Sequence, residues 1–195
     1  MRLTIKGFEI RVSFIALAVI SFLTVSNIYT GYALCFAAVI IHELGHLLCM
    51  LVFRIRVRGI SVSLFDIKLL ESDRYKTAFI KDVLITLSGP AVNLLVFIIS
   101  VGFFGVFAYV NLFVGLFNAL PASTLDGGQA LYLVLSRFFK PKTSALIIDI
   151  ITIIISVPLF FAGFYTLLKT RYNFSLLFIG LYLFTGVFIR KDKYL

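Results

Sequence analysis

The sequence predicts an all-α polytopic membrane protein with about six transmembrane helices and a short β-like, membrane-associated segment after the second helix. Of the 195 residues, 61% are hydrophobic and only 14% are charged, whereas an average soluble protein is about 25% charged. The mean hydropathy is +1.08. The apolar residues also form long runs, and most of the 18 basic residues lie between these runs.

Six apolar runs are long enough to cross a bilayer, which takes about 20 residues per helix. They cover residues 12–29, 31–53, 83–110, 111–136, 144–168 and 173–189. The third and fourth runs adjoin, and together they contain one charged side chain, that of Asp126. Because a single helix of this length would extend for roughly 80 Å, the sequence predicts that the chain turns near residues 109–111.

The stretch 54–70 is the one part without a helical pattern. Basic and apolar residues alternate from Arg54, the phase slips at Gly59, and apolar residues then recur at Ile60 and Val62. This pattern predicts a strand or a hairpin with a bulge at Gly59. A stretch held on the membrane surface by its arginines fits the same pattern, so both interpretations stay open.

The net charge of +9 indicates lipid rather than nucleic acid as the partner. The connections between successive predicted spans lie alternately on the two sides of the membrane. Sixteen of the 18 basic residues lie on one side, and only Lys169 and Arg171 lie on the other. Cytoplasmic loops carry such an excess of Lys and Arg. The sequence therefore predicts a multi-pass protein of the cell membrane with both termini in the cytoplasm, and no nucleic-acid partner.

The segment HELGH at residues 42–46 places the chain's only two histidines four residues apart in the second run. Residues at this spacing share one face of a helix, so His42 and His46 are predicted to bind one zinc ion. An ionisable group at membrane depth costs roughly 2.5 kcal/mol or more, which favours a functional role. Glu43 is predicted to take a proton from zinc-bound water and pass it to the leaving amine.

A catalytic zinc site has three protein ligands and an open position for water, so a third ligand is required. Val52 stands where the metzincin pattern has its third histidine, which excludes that pattern. Asp126 is the favoured third ligand, because a carboxylate in apolar surroundings needs a partner. Glu71, in a charged segment, and Cys49, on the same helix as the histidines, are the alternatives.

Three motifs in the chain match a known family. They are HELGH at 42–46, SGPAVN at 88–93 and NALPASTLDGG at 118–128. Together and in this order they resemble the motifs of the site-2 proteases, which are intramembrane zinc metalloproteases. The resemblance implies that the zinc ligands are His42, His46 and Asp126. It implies that Glu43 is the catalytic base. It also implies that Asn93 and Asn118 are polar residues near the substrate or the developing oxyanion.

The resemblance also implies cleavage of a peptide bond within or next to a transmembrane segment of a membrane-anchored protein. The expected substrates are a transcription-factor or sigma-factor precursor or an anti-sigma factor, because the layout is similar to the branch with the sporulation protease that processes a pro-sigma factor. A regulatory membrane partner or a homo-oligomer is a further expectation. We expect residues 1–195 to form a single transmembrane metalloprotease domain without a PDZ or CBS domain.

Two other functions use the same residues. A metal-ion transporter also places His and Asp groups within the membrane, although the sequence shows no repeated halves and few polar residues in its spans. A membrane zinc hydrolase of another substrate, such as a lipid or a prenylated peptide, is the second alternative. Glu43→Gln separates a protease from a transporter, because only the protease needs the carboxylate for its chemistry.

Overall fold

A computed structural model describes residues 2–5, 8–12, 29–55, 57–62, 67–71, 78–171 and 173–191. These residues form two compact units, here called the first unit (1–116) and the second unit (117–195). The described residues include six helices, which are α1 Tyr29–Val52, α2 Phe79–Ser100, α3 Gly105–Asn118, α4 Asp126–Leu135, α5 Pro141–Thr170 and α6 Ser175–Lys191. They also include four strands, which are β1 Arg2–Ile5, β2 Phe8–Val12, β3 Val57–Val62 and β4 Ile67–Glu71. The prediction of a single domain over the whole chain stays a prediction.

Three of the helices are long and apolar enough to cross a membrane, judged by length and composition, and these segments are Ala33–Val52, Phe79–Ser100 and Pro141–Thr170. Large apolar side chains are exposed along them, including Ile98 at 67% and Ile154 at 65%. Exposed apolar surface of this extent marks contact with lipid or with another protein. The helices are therefore those of a membrane protein. Most of the predicted first span, residues 13–28, lies outside the described residues.

The predicted turn at residues 109–111 is wrong. Helix α2 ends at Ser100, a short turn follows, and α3 begins at Gly105. The backbone carbonyl of Ser100 accepts from the N–H groups of Phe103 and Phe104, which closes the turn. Hydropathy missed this position because the turn residues are as apolar as the helices beside them. Asn111 lies inside α3 and is buried.

The predicted fourth span, residues 111–136, is not one helix. Helix α3 ends at Asn118, residues 119–125 are irregular, and α4 begins at Asp126. Pro121 and the glycines after Asp126 accompany this break. By contrast, Pro90 does not end α2, which continues from Phe79 to Ser100 although proline lacks the N–H for one helical hydrogen bond.

The strands form a four-stranded sheet in the order β1-β2-β3-β4. Strands β3 and β4 are antiparallel, with an irregular register between Val57 and Gly59, in the segment where the sequence analysis placed a strand or hairpin with a bulge. Strand β2 pairs parallel with β3 and antiparallel with β1. Strands β1 and β2 were not predicted, although polar and apolar residues alternate through both, which is the pattern of a strand.

Helices α1 and α2 of the first unit approach closely through glycines. A Cβ atom added to Gly45 would lie 2.8 Å from the carbonyl oxygen of Ser88 and 3.1 Å from the Cα of Gly89. Small residues allow helix backbones in membranes to pack at short range. Nearer the end of α1, Met50 and Ile85 are buried in a common apolar cluster. The two helices are thus held face to face along the side of α1 that carries the histidines.

Helices α5 and α6 of the second unit also pack through glycines. A Cβ atom on Gly163 would collide with the backbone nitrogen of Leu177, and one on Gly180 would lie 2.8 Å from the backbone nitrogen of Phe160. Leu183 of α6 is fully buried against Leu125. The packing of α6 therefore supports the irregular segment that precedes α4.

We expect Gly163→Ala to lower the stability of the protein by about 1–3 kcal/mol, the usual cost of overpacking, because the added methyl group meets the backbone of α6. Gly31→Ala is the matched control, since nothing lies within 4 Å of the Cβ position in that α1 glycine. Alanine there raises helix propensity, so stability should hold or rise. Thermal unfolding in detergent measures both, and equal unfolding temperatures for the two variants would contradict the packing.

Candidate metal centre

His42 and His46 face each other on one side of α1. Their Nε2 atoms are 3.2 Å apart, and their ring planes are nearly perpendicular, with an interplanar angle of 80°. His42 is buried, with 5% of its surface exposed, and His46 is half-buried. The spacing of four residues brings both rings to the same face, as the sequence predicts.

The other ring nitrogen of His46 is bonded to the backbone of α2. Nδ1 lies 2.7 Å from the carbonyl oxygen of Ile85. A carbonyl oxygen can only accept, so Nδ1 carries the proton and donates. The Nε2 atom is then left with its lone pair, which is the form of histidine that binds a metal.

The Nδ1 atom of His42 is bonded to a side chain of α2. It lies 2.8 Å from Asn93 Oδ1, which also accepts only. The lone pair of His42 is therefore on Nε2 as well. Two lone pairs that face each other at 3.2 Å repel, unless a cation lies between them. The hydrogen bonds behind both rings thus direct two ligand atoms to one point.

A zinc ion fits this pair. Two nitrogen ligands at the usual zinc distance and tetrahedral angle are about 3.3 Å apart, close to the 3.2 Å between the two Nε2 atoms. Space for the ion lies beside the two Nε2 atoms, because Gly89 has no side chain. A Cβ atom there would collide with Nε2 of His46 and lie 2.7 Å from Nε2 of His42. The space beside both ligand atoms is therefore kept free by one glycine.

The structure brings Asn93 together with His42 in the first unit, and its predicted role near the substrate stays a prediction. Asn93 is fully buried, and both N–H groups of its amide are engaged, one with the carbonyl of Ala38 at 3.0 Å and one with Asn111 Oδ1 at 2.9 Å. Donation to a substrate carbonyl would require one of these bonds to break. In this structure Asn93 contacts a histidine ring.

Glu43 and Cys49 lie on the same helix as the histidines. Glu43 is half-buried next to His42, and its role as catalytic base stays a prediction. Cys49 packs against the apolar cluster around Met50 and Ile85, which is the usual environment of an unpaired cysteine. Its packing gives no support to a role in zinc binding.

Asp126 and Asn118 lie in the second unit, where they flank the irregular segment. Asp126 is the first residue of α4, a position at which the helix dipole stabilises a carboxylate. A Cβ atom on Gly127 or Gly128 would collide with the carbonyl oxygen of Ala119 or Ala122, so the two glycines let the segment fold back onto the first turn. This packing holds Asp126 in place. Asn118 ends α3 and is half-buried.

The irregular segment is also bound to α5. The backbone N–H of Ser123 donates to Thr152 Oγ1 at 2.8 Å, and the same hydroxyl donates to the carbonyl of Ile148 at 2.7 Å. Thr152 is fully buried. Thr152 was not predicted as a functional residue, although a hydroxyl within a long apolar run was a signal for it. Asp126 stays the predicted third zinc ligand. Glu71, at the end of β4, stays its alternative.

Comparisons with known proteins agree with the motifs. Residues 95–162 match the family model described as Peptidase family M50. The sequence is 33% identical over 111 residues to "Putative zinc metalloprotease sll0528" of Synechocystis sp., which corresponds to 50% of this chain and 29% of that protein. The chain therefore spans less than a third of this curated relative.

The fold is similar to that of the "Site-2 Protease from Methanocaldococcus jannaschii". The TM-score is 0.70 with 23% sequence identity, over 96% of this chain and 93% of the other. The resemblance to the site-2 proteases that the three motifs predict is thus confirmed.

We expect Gly89→Ala to abolish zinc binding, because the methyl group would fill the space beside both Nε2 atoms. Gly102→Ala is the matched control, since nothing lies within 4 Å of its Cβ position, and it should bind zinc as the unmodified protein does. The zinc content of the purified proteins measures the difference. Full zinc occupancy in Gly89→Ala would show that the ion binds elsewhere.

Proposed function

We propose that this protein is an intramembrane zinc metalloprotease that hydrolyses a peptide bond within or next to a transmembrane segment of a membrane-anchored protein. The observation that supports it most directly is the histidine pair, whose Nε2 atoms lie 3.2 Å apart on a membrane-spanning helix. The relatives described as a zinc metalloprotease and as a site-2 protease support the same activity.

In the proposed mechanism three side chains hold the metal. His42 and His46 would bind the metal through Nε2, and Asp126 would be the third ligand, which its motif and its fixed position at the start of α4 support. Zinc, when bound, acts as a Lewis acid and makes water a nucleophile near neutral pH. Glu43 accepts the proton of the attacking water and returns it to the leaving amine. Asn118 contributes a polar side chain near the substrate.

A helical substrate must unwind before its peptide bond can be cleaved, because its carbonyl groups are engaged in hydrogen bonds. We propose that the sheet receives the unwound segment as an additional strand, a known mode of peptide recognition. Among the described strands, β4 pairs with β3 alone, so one edge of β4 is available for pairing in this part of the chain.

The proposed location is the cell membrane, with several spans and both termini in the cytoplasm, supported by the distribution of the basic residues. The proposed substrates are membrane-anchored precursors of transcription or sigma factors and anti-sigma factors. A regulatory membrane protein or a second copy of the chain is proposed as a further partner. One domain over residues 1–195 is proposed to carry the activity.

We expect Glu43→Gln to keep its zinc but to lose about 10²–10⁴-fold in cleavage rate, the usual contribution of a general acid–base group. Cleavage is measured by co-expression with candidate single-span membrane proteins and then with purified components. Asp126→Asn serves as the comparison, because loss of a zinc ligand should remove both the metal and the activity.

The outcomes separate the proposed protease from its alternatives. Full proteolysis by purified Glu43→Gln would overturn the assignment of the base. Zinc flux across vesicles that survives in Glu43→Gln, without proteolysis by the unmodified protein, would favour a transporter. Hydrolysis of a lipid or prenylated peptide without cleavage of membrane proteins would favour the other hydrolase.

We expect proline at Ile60 or Val62 to impair cleavage of membrane substrates while the zinc content stays normal. Both residues lie in β3, which pairs with β2 and β4, and proline removes a donor from such a ladder. An unstructured peptide needs no unwinding, so its cleavage should be affected less. Unchanged cleavage of membrane substrates would contradict a role for the sheet.

A further inference from the structure

We propose that Asn93 and Asn111 are positioning residues that together fix the ring orientation and tautomer of His42. The proposal rests on the proposed function, because it concerns the same metal site. It assigns a role to Asn111, which lies inside α3 and outside the three sequence motifs. This role requires neither asparagine to touch the substrate or the reacting atoms.

The two amides form a continuous chain of hydrogen bonds from α3 to His42. Asn111 Nδ2 donates to the carbonyl of Phe107 at 2.9 Å. Asn93 Nδ2 donates to Asn111 Oδ1 at 2.9 Å and to the carbonyl of Ala38 at 3.0 Å. His42 Nδ1 donates to Asn93 Oδ1 at 2.8 Å. The chain therefore connects three helices, α1, α2 and α3.

The backbone carbonyls at the start of this chain determine the direction of every bond in it. A carbonyl oxygen accepts only, so the carbonyl of Phe107 must face the NH₂ end of the Asn111 amide, and Oδ1 of Asn111 then faces Asn93. The carbonyl of Ala38 orients the Asn93 amide in the same way. Asn93 consequently presents its oxygen to His42, and the His42 proton must be on Nδ1.

Burial makes the alternative arrangement costly. Asn93 and Asn111 are both fully buried, so water cannot replace a lost partner. A flipped Asn93 amide would place its NH₂ group against the N–H of His42 and its oxygen against two acceptors. A buried polar group without a partner costs about 1–3 kcal/mol. The flipped amide, and with it the other His42 tautomer, is thereby disfavoured.

A glycine on α3 permits the close approach that the chain of bonds requires. A Cβ atom on Gly115 would lie 3.1 Å from Cβ of Asn93 and 3.1 Å from the carbonyl oxygen of Pro90. Because Gly115 is one turn from Asn111, its lack of a side chain lets α3 lie against α2 at the level of Asn93. Asn111 can then reach the amide that orients His42.

The two histidines are thus oriented by different means. His46 donates directly to a backbone carbonyl of α2, whereas His42 depends on two side chains. Residues that accept from a zinc-bound histidine commonly change metal affinity 10–100-fold when they are replaced. We therefore expect zinc affinity to depend on the side chains that orient His42. His46 has no such dependence, because its acceptor is a backbone carbonyl.

Two Asn93 variants distinguish a positioning role from a merely structural role, in which the asparagines only link the helices. Both Asn93→Asp and Asn93→Leu lose the N–H groups that bind Ala38 and Asn111, so a linking role predicts equal damage from the two. Asn93→Asp retains an oxygen that accepts from His42, and carboxylates are common partners of zinc-bound histidines. Its second oxygen meets the oxygens of Ala38 and Asn111 with and without the metal, so this cost lowers the stability of the protein and not its zinc affinity. A positioning role therefore predicts rescue by aspartate.

The test is the zinc affinity of the full-length protein, measured by competition with a chelator in detergent. We expect Asn93→Leu to weaken zinc binding by about 10–100-fold, Asn93→Asp to stay within about threefold of the unmodified protein, and Asn111→Leu to fall between them. Ser100→Ala is the control, because Ser100 is a buried polar residue of α2 whose hydroxyl bonds to its own helix at Val96. Thermal unfolding of each metal-free protein identifies any variant that fails to fold.

A second readout is the ¹⁵N NMR spectrum of zinc-loaded protein labelled at histidine, which is simple because the chain has two histidines. Asn111→Leu should shift the Nδ1–H resonance of His42 and leave that of His46 unchanged. Equal loss of zinc affinity in Asn93→Asp and Asn93→Leu, or an unmoved His42 resonance in Asn111→Leu, would overturn the proposal. Neither readout uses proteolysis, so a failure of the proposed activity would be recognised separately.

Discussion

The site depends on one constraint, which is that two imidazole rings on α1 must direct unprotonated Nε2 atoms to the same point. The rings achieve this because each donates its Nδ1 proton to an oxygen of α2, the carbonyl of Ile85 for His46 and the amide of Asn93 for His42. Without these acceptors either ring could rotate or change tautomer, and one Nε2 atom could then carry a proton and donate it to the other across the 3.2 Å between them, in place of binding a cation. The pairing of α1 with α2 is therefore as important to the metal site as the histidines themselves.

Glycine residues, which have no side chain, make that arrangement possible. Gly45 lets α1 approach α2, Gly89 leaves room beside the two ligand atoms, and Gly115 lets α3 approach Asn93. In the second unit, Gly127 and Gly128 let the irregular segment fold onto the start of α4 below Asp126. In lipid there is little hydrophobic force between helices, so close packing and buried hydrogen bonds have to hold them together. The same contacts that stabilise the helices thus also position the site.

The expectations that agree with the structure rest on short-range periodicity. The spacing of His42 and His46 determined that they share a face of α1, and the alternation after Arg54 agrees with strands β3 and β4. The turn expected near residues 109–111 was wrong, because hydropathy does not distinguish an apolar turn from an apolar helix. Asn111 looked like a turn residue, whereas the structure uses it as a buried partner of Asn93.

The sequence by itself determined that the chain enters a membrane, that two histidines and a glutamate lie together on one helix, and which family the motifs resemble. These features are local in the chain, so composition and the period of the helix are sufficient to predict them. Only the tertiary structure decided which atoms stand behind the histidine rings and which glycine borders the ligand atoms. Ile85, Asn93 and Asn111 are 39 to 69 residues from the histidines that they serve, and no periodicity extends over that separation, because such contacts arise only when helices pack.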